Sequence, residues 1–232
     1  MSTKIFCDIA DIKNIKKFNK KKLVKGFTTN PSLMRKAGAK DYKNYAKKII
    51  RICKTKPISL EVFADNNAKM LEQAFKINSW GKNVFVKIPI TNSKGNFTGN
   101  VIKKLNSKKI KLNITAVYSS SQTKKILKEI NKKTNVIISI FAGRAADTGK
   151  DPIPEIKKSI FFSKKFKNVK ILWASVRETF NYNQALRTNT DIITVPPQFI
   201  KKIKDKKISL ENYSKITVKQ FFLDGKKSKF KI

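Results

Sequence analysis

Residues 83–90 read NVFVKIPI. Period-two alternation puts Val84, Val86, Ile88 and Ile90 on one side of an extended chain and Phe85, Lys87 and Pro89 on the other. The all-aliphatic side suits a covering layer of helices, which turns Lys87 towards the inside of a sheet. The same kind of run recurs along the chain, at 4–10, 22–29, 58–64, 112–118, 135–142, 170–176 and 191–196. Each of these β-branched runs reads as a strand.

Amphipathic, lysine-rich stretches lie between the strands and read as crossover helices. DYKNYAKKIIRICK gathers Tyr42, Tyr45, Ala46, Ile49, Ile50 and Cys53 on one face, and NNAKMLEQAFKINSW gathers Met70, Leu71, Ala74, Phe75 and Ile77. SSQTKKILKEINKK opens on serine caps, and DPIPEIKKSIFF carries prolines in its entry turn and first helical turn. Eight strand–helix repeats in 232 residues, with no Gly/Ser-rich linker, predict one α/β domain spanning 1–232, a (β/α)8 TIM barrel. The alternative is a doubly wound open sheet, but no GxGxxG or GxxxxGK[ST] follows any strand. Residues 209–225 fall outside the repeats and predict an extra C-terminal helix that packs on a neighbouring subunit.

Composition narrows the chemistry. There is no histidine, which excludes an imidazole general base, an imidazole-dependent triad and the commonest transition-metal ligand. Cys7 and Cys53 are too few for a disulfide framework and match no zinc spacing. No apolar run is long enough to span a bilayer and no signal peptide is evident, so a soluble, cytoplasmic protein with no membrane partner is expected. The charge of +38 invites a nucleic-acid reading. Against it, the lysines are spread over nearly every helix, and among 53 basic residues only Arg35, Arg51, Arg144, Arg177 and Arg187 are arginines. Specific nucleic-acid binding is therefore not expected, although a barrel binding polyanions is the alternative from a different functional class.

In a TIM barrel the reactive groups sit at the carboxyl ends of the strands. Those ends supply Asp8; Thr28, Thr29 and Asn30; Glu61; Lys87; Asn113 and Thr115; Ser139 and Phe141; Ser175 and Arg177; and Thr194. An inward lysine has two readings. Burial and cationic neighbours would favour the neutral amine, the nucleophile that forms a Schiff base with a carbonyl, or Lys87 would neutralise Asp8 or Glu61 in a structural ion pair. Asp8 likewise reads either as a catalytic carboxylate or as the N-cap of the helix beginning ADIKNIKKF, and Glu61 and Arg144 also fit surface ion pairs.

Six ordered motifs, GFTTNPSL, VKIPIT, NITAVYSSSQ, SIFAGRAADTGKDP, ILWASVRE and DIITVP, together resemble the transaldolase family in its short class-I aldolase branch, which includes fructose-6-phosphate aldolase. The resemblance implies a cofactor-free, metal-free transferase of the pentose phosphate pathway that forms homo-oligomers and acts on sugar phosphates. It makes Lys87 the Schiff-base lysine, Asp8 the base for the C4 hydroxyl, and Glu61 and Thr115 the holders of a proton-shuttling water. It makes Asn30, Asn113 and Ser139, assisted by Thr28, the ligands of the dihydroxyacetone unit, and Arg144, Ser175 and Arg177 the phosphate ligands. Glu61 and Phe141 match transaldolases, whereas fructose-6-phosphate aldolase carries glutamine and tyrosine there; release of free dihydroxyacetone is the alternative activity. Ile9, Trp173 and the ETFN that follows Arg177 depart from the family pattern, and the departures are expected to bear on the acceptor.

Overall fold

Parallel strands cannot be joined by tight turns, so each crossover needs a connecting element whose apolar stripe covers the sheet. The computed structural model describes residues 3–204 and 208–228. In chain order it runs β1 (Lys4–Asp8), α1 (Ile12–Asn19), β2 (Val24–Thr28), α2 (Pro31–Lys36), α3 (Tyr42–Cys53), β3 (Ile58–Glu61), α4 (Asn67–Asn78), β4 (Val84–Pro89) and α5 (Gly99–Ser107). It continues with β5 (Leu112–Val117), α6 (Ser120–Glu129), β6 (Val136–Ile140), α7 (Ala142–Ala146), α8 (Ile153–Ser163), β7 (Val169–Trp173), α9 (Phe180–Arg187), β8 (Ile192–Val195), α10 (Pro197–Lys204) and α11 (Leu210–Ser228). The strands close in sequence order into a parallel barrel, with β8 pairing back to β1. The architecture is a (β/α)8 barrel with an additional C-terminal helix.

Alternation along the strands divides the apolar residues into two layers. Val84, Val86, Ile88 and Ile90 of the β4 segment are buried between barrel and helices, with Ala46 and Ile49 of α3 and Met70 and Ala74 of α4. Phe6, Ile137, Leu172 and Ile192 fill the inside of the barrel, with Phe85 packed on them. This inner plug separates a cavity at the carboxyl ends of the strands from one at their amino ends, and in this architecture the reactive groups belong to the former. Gly26 makes room for the plug: a Cβ there would lie 2.6 Å from Cζ of Phe6.

Local signals hold the crossovers in place. Ser119 and Gln122 form a reciprocal capping box at the start of α6. Asp11, Asn30, Asp41 and Asn66 each accept a hydrogen bond from a first-turn amide of the helix that follows. Asp11 is therefore the cap of α1, and the capping reading of Asp8 is set aside. The strands end earlier than their apolar runs, because helix entry begins at Asn30 and Phe141. On α4 the buried face is Met70, Ala74 and Ile77; Phe75 lies at its edge and is exposed.

Among the described residues no helix is long and apolar enough to cross a membrane. The 19-residue α11 has no buried side chain at all.

Candidate active site

Strand register assembles the site. Glu61 pairs with Lys87 and Lys87 with Asn113, so β3, β4 and β5 bring a carboxylate, an ammonium and an amide side by side. On the other side of the barrel, Asp8 is level with Thr28 and Phe6 with Thr194. Above the inner plug lies a cavity of about 170 Å³ at the carboxyl ends of the strands. Asp8, Thr28, Asn30, Lys87, Asn113, Thr115, Ser139, Phe141, Arg144, Ser175 and Arg177 all line it, as do Ala174, Val176, Thr194 and Pro196. Glu61 does not line it; it stands behind Lys87.

Lys87 is 6% exposed. Its Nζ is 3.0 Å from Oε2 of Glu61 and donates to the carbonyl oxygen of Thr29 at 3.2 Å. An ammonium has three donors, so one remains for the cavity. The expectation of cationic neighbours is corrected: the charge that pairs with Lys87 is a carboxylate, and the ion pair with Glu61 exists. Glu61 is held in turn by Tyr42 of α3, whose hydroxyl donates to the Glu61 carbonyl at 2.9 Å and accepts from its amide at 3.1 Å. Burial and the adjacent Glu61 charge push the Tyr42 phenol up, so it stays neutral and able to donate.

Asp8 sits at the end of β1, where Oδ1 accepts from the Thr28 hydroxyl at 2.7 Å. Burial raises its pKa above the usual carboxylate range, partly countered by the Lys87 charge and the Thr28 hydrogen bond. A carboxyl with a raised pKa and a free oxygen facing a cavity has the properties of a general base.

The far wall is a chain of hydrogen bonds. Ser139 donates to Oδ1 of Asn113 at 2.7 Å, and Nδ2 of Asn113 donates to Ser59 at 2.9 Å, which sets the orientation of the amide. Thr115 is buried, and its Oγ1 has no hydrogen-bond partner among the described residues. Asn30 uses Oδ1 to cap α2, so its amide nitrogen is the part left for the cavity.

Two arginines stand at the rim. Arg144 is exposed and lies over the Phe141 ring at 5.3 Å, with no ion pair among the described residues, so the surface ion-pair reading of this side chain is set aside. Asp147 grips Arg177 through Nε (3.0 Å to both carboxylate oxygens) and Nη2 (2.5 Å), and this holds the Asp147 carboxyl below its usual range. That side-on grip engages Nε and Nη2 and leaves Nη1 of Arg177 outside the pair.

The chain belongs to the transaldolase/fructose-6-phosphate aldolase family. Its family model matches residues 5–230. A probable transaldolase of Nitrosopumilus maritimus is 35% identical over 219 residues, covering 91% of this chain and 93% of the relative. One of Dehalococcoides mccartyi is 34% identical over 194 residues, covering 83% and 86%. Among solved structures, a putative dihydrodipicolinate synthase family protein from Coccidioides immitis superposes with a TM-score of 0.59 at 12% identity, over 84% of this chain and 68% of that one. That last likeness concerns the barrel alone.

Within this transaldolase/fructose-6-phosphate aldolase chain, the expectation for Trp173 also changes. Trp173 belongs to the outer apolar layer between barrel and helices, whereas the cavity is lined by its neighbours Ala174, Ser175 and Val176. Its bulk is thus taken up by helix packing, outside the cavity. Tyr42, Ser59 and Asp147 were not singled out from the sequence. Tyr42 reads as one more member of an apolar helix face, and Asp147, three residues after Arg144, has no local sign that its partner is Arg177, 30 residues away. Among the described residues no group of three or more carboxylate or thiol side chains converges to hold a metal.

Proposed function

We infer that the protein is a transaldolase, which moves a dihydroxyacetone unit from a ketose phosphate, fructose 6-phosphate or sedoheptulose 7-phosphate, to an aldose phosphate. The observation that carries this reading is the buried Lys87 amine, at the edge of a polar cavity, with Glu61 3.0 Å behind it and Asp8 on the cavity wall. The names of the relatives support it.

In this reading Glu61 takes a proton from the Lys87 ammonium, and the freed amine adds to the C2 carbonyl of the ketose. The carbinolamine loses water, with protons carried between Glu61 and a water held at Thr115, to give an iminium ion. Asp8 then takes the C4 hydroxyl proton as the C3–C4 bond breaks. The electron pair of that bond becomes the C2–C3 double bond of an enamine, and the iminium nitrogen is neutralised. The aldehyde leaves and another enters, and the steps reverse. Asn113, Ser139 and the amide nitrogen of Asn30 supply polar contacts for the three-carbon unit. Arg144, Ser175 and the free Nη1 of Arg177 receive the phosphate, for which guanidinium geometry is well suited. Phe141 presents no hydroxyl to the enamine, which favours transfer over release of free dihydroxyacetone.

The test is borohydride reduction in the presence of fructose 6-phosphate, followed by peptide mass mapping. A three-carbon adduct on Lys87 is expected. No adduct, or one on another lysine, overturns the mechanism. A coupled assay with and without erythrose 4-phosphate then separates transfer from aldol cleavage.

A further inference from the structure

The polar wall around Asp8 does not end at Thr28. Oγ1 of Thr28 lies 2.7 Å from Oδ1 of Asp8 and 2.5 Å from Oγ1 of Thr194, and both threonines are buried. A hydroxyl has one hydrogen and an ionised carboxylate only accepts. The Thr28 hydrogen therefore points at Asp8. A hydrogen must also lie between the two hydroxyl oxygens, so it belongs to Thr194. With Asp8 ionised, the state in which it acts as a base, the direction of the chain follows: Thr194 of β8 donates to Thr28 of β2, which donates to Asp8 of β1.

β1 lies between β2 and β8 in the closed sheet. Hydroxyls from both flanking strands thus meet over its carboxyl end. Oδ1 of Asp8 is occupied by Thr28, and Oδ2 has no hydrogen-bond donor among the described residues. Oδ2 is the oxygen left to accept a proton from a substrate hydroxyl. Donation from Thr194 polarises the Thr28 hydroxyl and strengthens its hold on Oδ1, as expected for hydrogen bonds in series away from water.

We propose that Thr194 is a positioning residue for the carbon–carbon bond-breaking step, acting through Thr28 to hold Asp8 with one oxygen aimed into the cavity. The inference rests on Asp8 being the base of the reading above. It assigns Thr194 no part in Schiff-base formation, which takes place at Lys87 on the opposite strands.

The test compares Thr194→Val, which keeps the shape and removes the donor, with Thr194→Ser, which keeps the hydroxyl. Two rates are read for each variant: borohydride trapping with dihydroxyacetone, which needs no bond cleavage, and single-turnover cleavage of fructose 6-phosphate. Trapping by Thr194→Val should match the parent, which also shows that its site is folded. Its cleavage rate should fall about tenfold, the effect of losing one buried hydrogen bond, and Thr194→Ser should recover most of that loss. Because Thr194 acts only through Thr28, the Thr28→Val, Thr194→Val double variant should be no slower than Thr28→Val alone. Unimpaired cleavage in Thr194→Val, a Ser variant as slow as the Val variant, or additive losses in the double variant would each overturn the proposal. Should the parent fail to trap dihydroxyacetone or to cleave fructose 6-phosphate, the transaldolase reading itself falls, and this inference with it.

Discussion

Asp8 carries a conflict between stability and chemistry. Burial raises its pKa, so the folded protein holds the carboxyl proton more tightly than the unfolded chain does. Ionising Asp8 therefore takes stability away as the pH rises past the ordinary carboxylate value, and the loss is complete above the raised one. Asp8→Asn removes that cost while its amide oxygen can still accept from Thr28. The thermal midpoint of Asp8→Asn should match the parent below the ordinary carboxylate pKa of about 3.9 and exceed it increasingly as the pH rises above that value. Cleavage of fructose 6-phosphate by the same variant should fall by about 10²- to 10⁴-fold, the usual contribution of a positioned base. Scanning calorimetry across that pH range and a steady-state assay read the two halves separately. A variant less stable than the parent at neutral pH would contradict the account of Asp8.

At the scale of elements, the short helix α7 and the turn after β7 are built as one piece. Ser175 has φ = 64°, in the left-handed region where a side chain is strained. Its carbonyl points at Gly143 in the first turn of α7, and a Cβ at Gly143 would lie 1.6 Å from that oxygen. No side-chain rearrangement relieves a clash with backbone, so Gly143→Ala must push the turn that carries Ser175 and Arg177 away from α7. The expected cost is about 1–3 kcal/mol of stability, as for other overpacked sites, read as a lower thermal midpoint. Trapping of unphosphorylated dihydroxyacetone should survive, while KM for fructose 6-phosphate rises, because the displaced turn bears Ser175 and Arg177, the proposed phosphate ligands, and not Lys87. Equal impairment of both substrates would show that the turn serves the whole cavity.

At the scale of the molecule, α11 is unfinished in one chain. Tyr213 is 59% exposed, Phe221 70% and Phe222 59%, and no residue of the helix is buried. Most helical stability in proteins comes from packing of an apolar face, and the exposed aromatic residues of α11 mark an interaction surface. In the homo-oligomer that the family resemblance implies, a second copy of the chain would cover it. Phe221→Glu combined with Phe222→Glu should lower the particle mass seen by light scattering, without changing the barrel's circular dichroism. The charge of +38 makes every copy repel the next. Assembly of the parent should therefore strengthen as salt is raised from low to physiological concentration, the reverse of what a salt-bridged interface would show. An unchanged mass in the double variant would remove α11 from the interface.

Much of this was legible in the linear chain. Short β-branched, apolar runs mark all eight strands, and the inward turn of Lys87 follows from the alternation of Val84, Val86, Ile88 and Ile90, because alternation is a property of the local backbone. The polar residues at strand ends, including Lys87, Asp8, Asn113 and Ser139, are legible for the same reason: a closed barrel has one carboxyl end, and whatever the strands carry there meets. What the tertiary structure decided is which of those groups touch. That Lys87 pairs with Glu61, that Tyr42 holds the Glu61 backbone, that Asp147 takes Arg177 and that Thr194 reaches Asp8 through Thr28 all depend on strand register and helix placement. Those are set by packing between segments far apart in the chain, where no local periodicity carries the information. The same holds for Trp173: its size is visible in the sequence, but the face it occupies comes from the closure of the barrel.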